Sequence, residues 1–223
     1  MSARPVAIRS KNPASSPGAP RKASPAPQGA GHATTNIKDA IGLLELTSIA
    51  KGIEATDLML KASDVELLAS RSICSGKYMV LVRGDVAACN AAVAAGEAVG
   101  RETVADSIVI PNLHDEVFPA ISQSAEVGAV AALGILEAFN VAALIEGADA
   151  AVKAAEVKLV EIRLAMALGG KAFCVLTGDV AAVRAALETG KLVIGEKGLL
   201  VNWALIPSPN AALVKELLGG RLL

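Results

Sequence analysis

Cysteine is the residue type in this sequence that most readily suggests chemistry, because its thiolate can act as a nucleophile or as a metal ligand. The chain contains three cysteines. Cys74 lies in a short segment with Ser75 and Gly76 between two apolar runs, whereas Cys89 lies in an alanine-rich pattern and Cys174 in an apolar run. The last two are typical of small core residues. Cys74 is the candidate ligand, although a lone cysteine by itself favours a packed thiol in a turn.

The other reactive residue types form no recognisable catalytic set. The Gly76-Lys77 and Gly170-Lys171 pairs lack the G-x-x-x-x-G-K-[ST] spacing of a phosphate-binding loop. His114 starts a short helical pattern with acidic neighbours, which favours a capping or surface role over a metal site. The sequence contains no Ser/His/Asp set and no paired-carboxylate motif, so we predict that the protein is not an enzyme.

The composition narrows the class of protein. Of the 223 residues, 53% are hydrophobic and 19% charged, which excludes global disorder. The formal net charge of −1 and an aromatic content of 2% argue against nucleic-acid binding, and three cysteines are too few for a secreted disulfide scaffold. Such high hydrophobicity in a small protein favours burial of apolar surface between subunits.

The first part of the chain differs from the rest. Residues 1–37 contain six of the ten prolines, five basic residues and no acidic residue, and we predict a flexible arm there. Its charge suits an acidic partner, but a solvated tail is the favoured interpretation. The strongest candidate for a membrane span, Val127–Ile145, is interrupted by Glu137 and Asn140. We therefore predict neither a signal peptide nor a membrane span.

The remainder of the chain is a duplication. The segment from Ala40 aligns with the segment from Ala132, and further on "SGKYMVLVRGDVAACNAAVAAG" aligns with "GGKAFCVLTGDVAAVRAALETG". We predict two domains, residues 38–126 and 127–223. Residues that coincide in the first alignment are Gly42/Gly134, Glu45/Glu137, Glu54/Glu146, Asp57/Asp149, Lys61/Lys153 and Val65/Val157.

Each copy predicts the same order of elements. A strand comes first, then a helix (with Ser48 as its N-cap in the first copy), two strands, an alanine-rich helix, a fourth strand and a short helix. We expect Asp85 and Asp179 to cap the alanine-rich helices, and Gly96 and Gly190 to end them. Strands and helices alternating in this way indicate an α/β sandwich in each copy.

These paired segments resemble the bacterial microcompartment (BMC) shell domain. "GLLELTSIAKGIEATDLMLKASDVELL" and "GILEAFNVAALIEGADAAVKAAEVKLV" resemble its opening, in the ordinary rather than the permuted strand order. The resemblance implies that the protein is a structural tile of a microcompartment shell. Because tandem-domain members of the family are trimers that imitate a hexamer, it also implies a homotrimer. It also implies hexameric shell tiles and an encapsulated redox enzyme as partners. Lys61 and Lys153 are implied to lie at the tile edge.

In this family the loop between the second and third strands lines a central pore. That loop, "SRSICSGK", resembles the loop of iron–sulfur trimeric members from propanediol-utilisation microcompartments. The resemblance implies that Cys74, once per subunit around a three-fold axis, binds a [4Fe-4S] cluster, with Arg71 and Lys77 offsetting its charge. The function implied is electron transfer across the shell, or cluster delivery. The alternative is a pore for small metabolites without a cluster. The other residues assigned to the pore loops are Ser72, Ile73, Ser75, Gly76, Met166, Leu168, Gly169 and Gly170.

Overall fold

The computed structural model describes residues 39–165 and 169–219; for Ser75 and Gly219 it describes the backbone alone. The predicted arm, residues 1–37, lies outside this range. The described part contains two four-stranded antiparallel sheets with helices packed on them. The first copy consists of β1 Ala40–Leu46, α1 Ile49–Ala62, β2 Glu66–Ile73, β3 Lys77–Gly84, α2 Val86–Gly100, β4 Val104–Ile110 and α3 Val117–Ile121.

The second copy repeats the first, element for element. It consists of β5 Ala132–Ala138, α4 Val141–Ala154, β6 Lys158–Leu164, β7 Ala172–Gly178, α5 Val180–Glu196, β8 Leu200–Pro207 and α6 Ala211–Gly219. The sheet orders are β2-β3-β1-β4 and β6-β7-β5-β8, so corresponding strands occupy corresponding places. This confirms two α/β domains in tandem with the unpermuted order that the sequence predicts.

Two of the three predicted N-cap side chains, those of Ser48 and Asp85, form capping hydrogen bonds. The side chain of Ser48 accepts a hydrogen bond from the Lys51 amide (3.3 Å), and that of Asp85 accepts one from the Ala88 amide (2.7 Å). Each bond satisfies a backbone donor that the first turn of a helix leaves free. Asp179 occupies the N-cap position of α5, but its side chain makes no capping bond.

The predicted ends of the alanine-rich helices are wrong. Helix α2 continues past Gly96 to Gly100, and α5 continues past Gly190 to Glu196. A Cβ atom at Gly96 would lie 2.5 Å from Cδ2 of the buried Leu44. One at Gly190 would lie 2.9 Å from the carbonyl oxygen of Gly147 in α4. These glycines therefore allow close approach within the core and do not end the helices.

Substituting Gly96 with alanine is expected to lower the free energy of unfolding by about 1–3 kcal/mol, because the new methyl group overlaps a packed core. Gly195, in the same kind of helix, offers the matched control. Nothing lies within 4 Å of a Cβ added there, so Gly195→Ala should raise stability by up to about 1 kcal/mol. Denaturant unfolding measures both, and equal stabilities for the two variants would contradict this packing account.

Each sheet has a helix-bearing face and a rear face. In the first domain the rear face carries Ile41, Leu43, Met79 and Leu81, which alternate with residues that pack on α1 and α2. One continuous apolar core joins this rear face to helix α4 of the second domain. Helix α4 therefore contributes to a core that includes both its own sheet and the rear face of the first domain.

Candidate functional site

The loop that carries Cys74 lies against the corresponding loop of the second domain. Residues Cys74–Gly76 form a single 3-10 turn between β2 and β3. The amide of Cys74 donates a hydrogen bond to the carbonyl oxygen of Ala165, the residue that follows β6 (3.1 Å). Cys74 is partly exposed, while Ile73 before it is buried. The fold thus brings together two loops that lie about ninety positions apart in the sequence.

Glycine and positive φ angles shape both loops. Gly76 has a φ of 74°, and Gly169 and Gly170 have φ angles of 63° and 87°. Glycine adopts this left-handed region without the steric cost of a Cβ atom. Ala165 also has a positive φ, 50°, at the point where its carbonyl meets Cys74. Met166 and Leu168, which the sequence assigned to the same loop, lie outside the described residues.

A cavity of about 210 Å³ lies beside Cys74, at the junction of the two domains. Asn140 forms part of its wall and ties the domains together, since its side-chain amide donates to Asp106 Oδ2 of the first domain (3.1 Å). The residues around the cavity are Glu45, Ile73, Cys74, Lys77, Phe139, Asn140, Gly169 and Gly170.

The lysine nearest to Cys74 in the sequence has a protein partner. Lys77 Nζ lies 3.3 Å from the buried carboxylate of Glu45, and the second domain repeats the pair, with Lys171 Nζ 2.5 Å from Glu137. The sequence suggested that Lys77 offsets the charge of a cluster, but its first role is to balance a buried carboxylate. Burial of that carboxylate without a cation would be costly. The coincidence of Glu45 with Glu137 in the aligned copies is the sequence feature that could have indicated these lysine–glutamate pairs.

The other two cysteines are core residues, as predicted. Cys89 and Cys174 are fully buried. Burial, with the negative charge of Asp85 as a smaller cause, raises the pKa of Cys89 to about 11. Burial raises the pKa of Cys174 to about 12. Both therefore remain neutral thiols at physiological pH and are poor metal ligands.

The described residues of one chain do not by themselves assemble a metal site. Within residues 39–165 and 169–219, no group of three or more His, Cys, Asp or Glu side chains is placed to hold a metal ion. The donor at the loop is a single thiol, and thiolates are the usual ligands of iron–sulfur clusters. Cys74 therefore suits such a cluster chemically, provided that further copies of the chain supply the remaining ligands.

The two lysines assigned to the tile edge have different surroundings. Lys61 is highly exposed and pairs with Asp57 on the same helix (2.5 Å). Lys153 pairs likewise with Asp149 (2.6 Å) and also donates to the carbonyl oxygen of Asn112 in the first domain (2.5 Å). Asp149 in turn accepts a hydrogen bond from the amide of His114 (2.7 Å). Sequence reasoning missed this interdomain contact, because it treated the two lysines as equivalent.

Helices long and apolar enough to cross a bilayer are absent from the described part of the chain.

The architecture defines a class: one α/β sandwich repeated in tandem, with a loop of each copy meeting at the domain junction. The sequence matches the BMC domain twice, over residues 40–113 and 132–209. The chain therefore belongs to the BMC-domain family and is a shell protein of a bacterial microcompartment.

Similar proteins agree with this assignment. The microcompartment shell protein PduT of Citrobacter freundii is 45% identical over 184 residues, which cover 82% of this chain and 100% of that protein. EutM of Salmonella typhimurium, also named a microcompartment shell protein, is 41% identical over 86 residues, covering 36% of this chain and 90% of EutM. A crystal structure of a microcompartment protein from Desulfitobacterium hafniense superposes with a TM-score of 0.78 at 47% identity, covering 79% of this chain and 98% of that one.

Proposed function

We propose that the protein forms a homotrimeric tile with a pseudo-hexagonal outline, and that this tile is structural rather than enzymatic. The support comes from two helices that the duplication makes equivalent. On α4, Val141, Ile145 and Val152 are 1%, 0% and 6% exposed, and they belong to the same apolar core as the rear face of the first domain. Their counterparts on α1 are Ile49, Ile53 and Leu60, at 47%, 58% and 37%. An apolar helix face of this kind needs a cover.

The second domain supplies that cover in another copy of the chain. Its rear face carries Ile135 and Phe173, at the positions of Leu43 and Met79, and both are only partly buried in the single chain. Leu133 and Val175 lie on the same face but are already buried within the chain. Repeating the contact between domains from one chain to the next gives a heterologous interface, which closes into a ring when the rotation per step allows it. Six similar wedges, two from each of three chains, complete such a ring.

We further propose that the three Cys74 side chains surround the ring axis and hold one [4Fe-4S] cluster. The observation that carries this proposal is the bond between Cys74 and Ala165, which holds the cysteine loop beside its counterpart. In a ring of alternating domains, all six loops then lie around one centre. When bound, a cluster supplies one-electron chemistry. Cys74 would ligate it, and backbone amides of the turn would orient the ligand.

The function that follows is electron transfer across the shell, or delivery of the cluster. The alternative remains a tile whose pore passes small metabolites, with Cys74 inert. The open space around Gly76, Gly169 and Gly170 supports this alternative, since nothing lies within 4 Å of a Cβ added at any of them. Partners in either case would be other shell tiles, such as hexameric relatives, and with the cluster also an encapsulated redox enzyme.

Two measurements test these proposals separately. Sedimentation equilibrium should give three times the chain mass of 22.5 kDa, and a monomer would contradict the tile. Visible absorption of the anaerobically purified protein then distinguishes a pore that holds a cluster from a pore that passes metabolites. A brown protein with a broad band in the visible supports the cluster, whereas a colourless trimer supports the metabolite pore.

Reversing the charge of Lys61 is expected to stop the growth of extended sheets while trimers persist. By analogy with Lys153 and Asn112, Lys61 would lie near the carbonyl of Ser208 in the next chain, at the perimeter. Asn112 and Ser208 share a left-handed backbone, with φ of 53° and 48°. An exposed contact there contributes at most about 1 kcal/mol to the trimer. Electron microscopy of Lys61→Asp checks the sheets.

The matched control is Lys51→Asp, at the other end of the same helix, where a lysine also pairs with an acidic neighbour, Glu54. It should leave the sheets intact. Sheets of normal extent from the Lys61 variant would refute the edge role.

A further inference from the structure

Phe139 is an exposed aromatic residue in the wall of the cavity that Cys74 lines. Its side chain is 59% exposed in the single chain, although an aromatic ring is among the side chains that gain most from leaving water. Cys74 belongs to the first domain and Phe139 to the second, so the cavity of about 210 Å³ lies between them, across the domain junction.

Hydrogen bonds hold the backbone in place on both sides of this cavity. Asn140, the residue after Phe139, caps α4 and donates to Asp106 of the first domain (3.1 Å). On the other side, the amide of Cys74 donates to the carbonyl oxygen of Ala165 in the second domain (3.1 Å). Bonds across the junction therefore fix where Phe139 lies relative to the cysteine loop.

The duplication shows that the aromatic residue accompanies the cysteine. The counterpart of Phe139 in the first domain is Thr47, and the amide of each donates to the residue that precedes the fourth strand of its domain (2.9 and 2.7 Å). The counterpart of Cys74 is Leu168, because "CSGK" aligns with "LGGK". In the proposed ring, the junction between chains has neither a cysteine nor an aromatic residue at these two positions. The two residue types thus occur together at one kind of junction.

We propose that Phe139 covers the cavity at Cys74 and limits the access of water, oxygen and small reagents to the cysteine sulfur. The charged groups in the cavity wall, Glu45 and Lys77, pair with each other (3.3 Å), so the ring adds apolar surface beside a neutralised pair. Apolar surroundings control solvent access to a metal site and thereby its reduction potential. The purpose of this cover rests on the proposed function, whereas the cover itself lies within one chain.

The test measures how fast Cys74 reacts in the full-length protein. Iron-free, reduced protein is treated with N-ethylmaleimide, and modification of Cys74 is followed by peptide mass spectrometry. Phe139→Ala is expected to raise the rate by about fivefold or more, because water and reagent enter where the ring was. Phe139→Leu keeps an apolar cover and should stay within about twofold of the wild type. The buried Cys89 and Cys174 serve as internal references and should remain unmodified.

The anaerobically purified protein gives a second readout. Loss of its visible colour to an excess of iron chelator should be faster for Phe139→Ala by a similar factor. Thr47→Ala is the matched control, since it shortens the equivalent residue at the junction without a cysteine, and it should leave both rates unchanged. The denaturant midpoint of each variant should remain that of the wild type, because both side chains are exposed in the single chain.

The outcomes separate this inference from the proposed function. A colourless wild type would contradict the cluster, and a monomer would contradict the tile. The maleimide rates would still decide the cover in either case, because Phe139 and Cys74 line one cavity within a single chain. An unchanged rate for Phe139→Ala would overturn the cover. An equally large increase for Phe139→Leu or Thr47→Ala would also overturn it, because that result would indicate a general loosening of the loops.

Discussion

Replacement of Cys74 by serine is expected to remove all bound iron and acid-labile sulfide while leaving the trimer mass unchanged. Serine is nearly the same size as cysteine, so the turn between β2 and β3 can keep its shape. Its hydroxyl is a far weaker ligand than a thiolate for the irons of a cluster. Because one substitution changes all three ligands of the trimer at once, the loss should be complete. Iron analysis and the visible spectrum of the anaerobic protein give the readout.

Cys174→Ala is the matched control. This cysteine is fully buried in β7, and burial keeps it a thiol. The variant should retain its iron and instead lose about 1 kcal/mol of unfolding free energy through the small cavity that it leaves. If Cys174→Ala loses its iron, or if Cys74→Ser retains its colour, the assignment of the ligand is wrong.

Placing a carboxylate on the exposed face of α1 is expected to abolish the trimer. Ile53 is 58% exposed in the single chain, whereas its counterpart Ile145 is 0% exposed. In the ring Ile53 becomes as buried as Ile145, and an unpaired carboxylate there costs several kcal/mol at each of three interfaces. Ile53→Asp should therefore sediment as a monomer at micromolar concentration while its domains stay folded.

Leu192→Asp is the comparison for this effect. Leu192 is 60% exposed, nearly the same as Ile53, but it lies on α5, away from the face that the ring covers. This variant should remain trimeric. Dissociation by both variants would indicate a general effect of surface charge, and persistence of the Ile53→Asp trimer would contradict the proposed interface.

Much of the fold could be predicted because each copy supports the interpretation of the other. The order of strands and helices is as predicted in both copies, and the Ser48 and Asp85 caps form the predicted hydrogen bonds. The ends of α2 and α5 were missed because a glycine that stops a helix and one that admits a neighbouring side chain look alike in sequence. Only the packing distinguishes them, since a Cβ atom added at Gly96 would lie 2.5 Å from Cδ2 of Leu44.

Only the features of the site that depend on neighbouring residues in the sequence could be predicted. The loop of Cys74 stood out, but its contact with Ala165 depends on how two domains pack. The same holds for Lys153, whose bond to Asn112 joins residues from different domains.

Convergence of three thiolates on one centre is the central claim, and chemical analysis of the wild-type trimer tests it most directly. After anaerobic purification, we expect about four irons and four acid-labile sulfides for every three chains, as one [4Fe-4S] cluster per ring requires. A colourless trimer of the correct mass that contains neither iron nor sulfide would contradict the claim and leave the metabolite pore as the function.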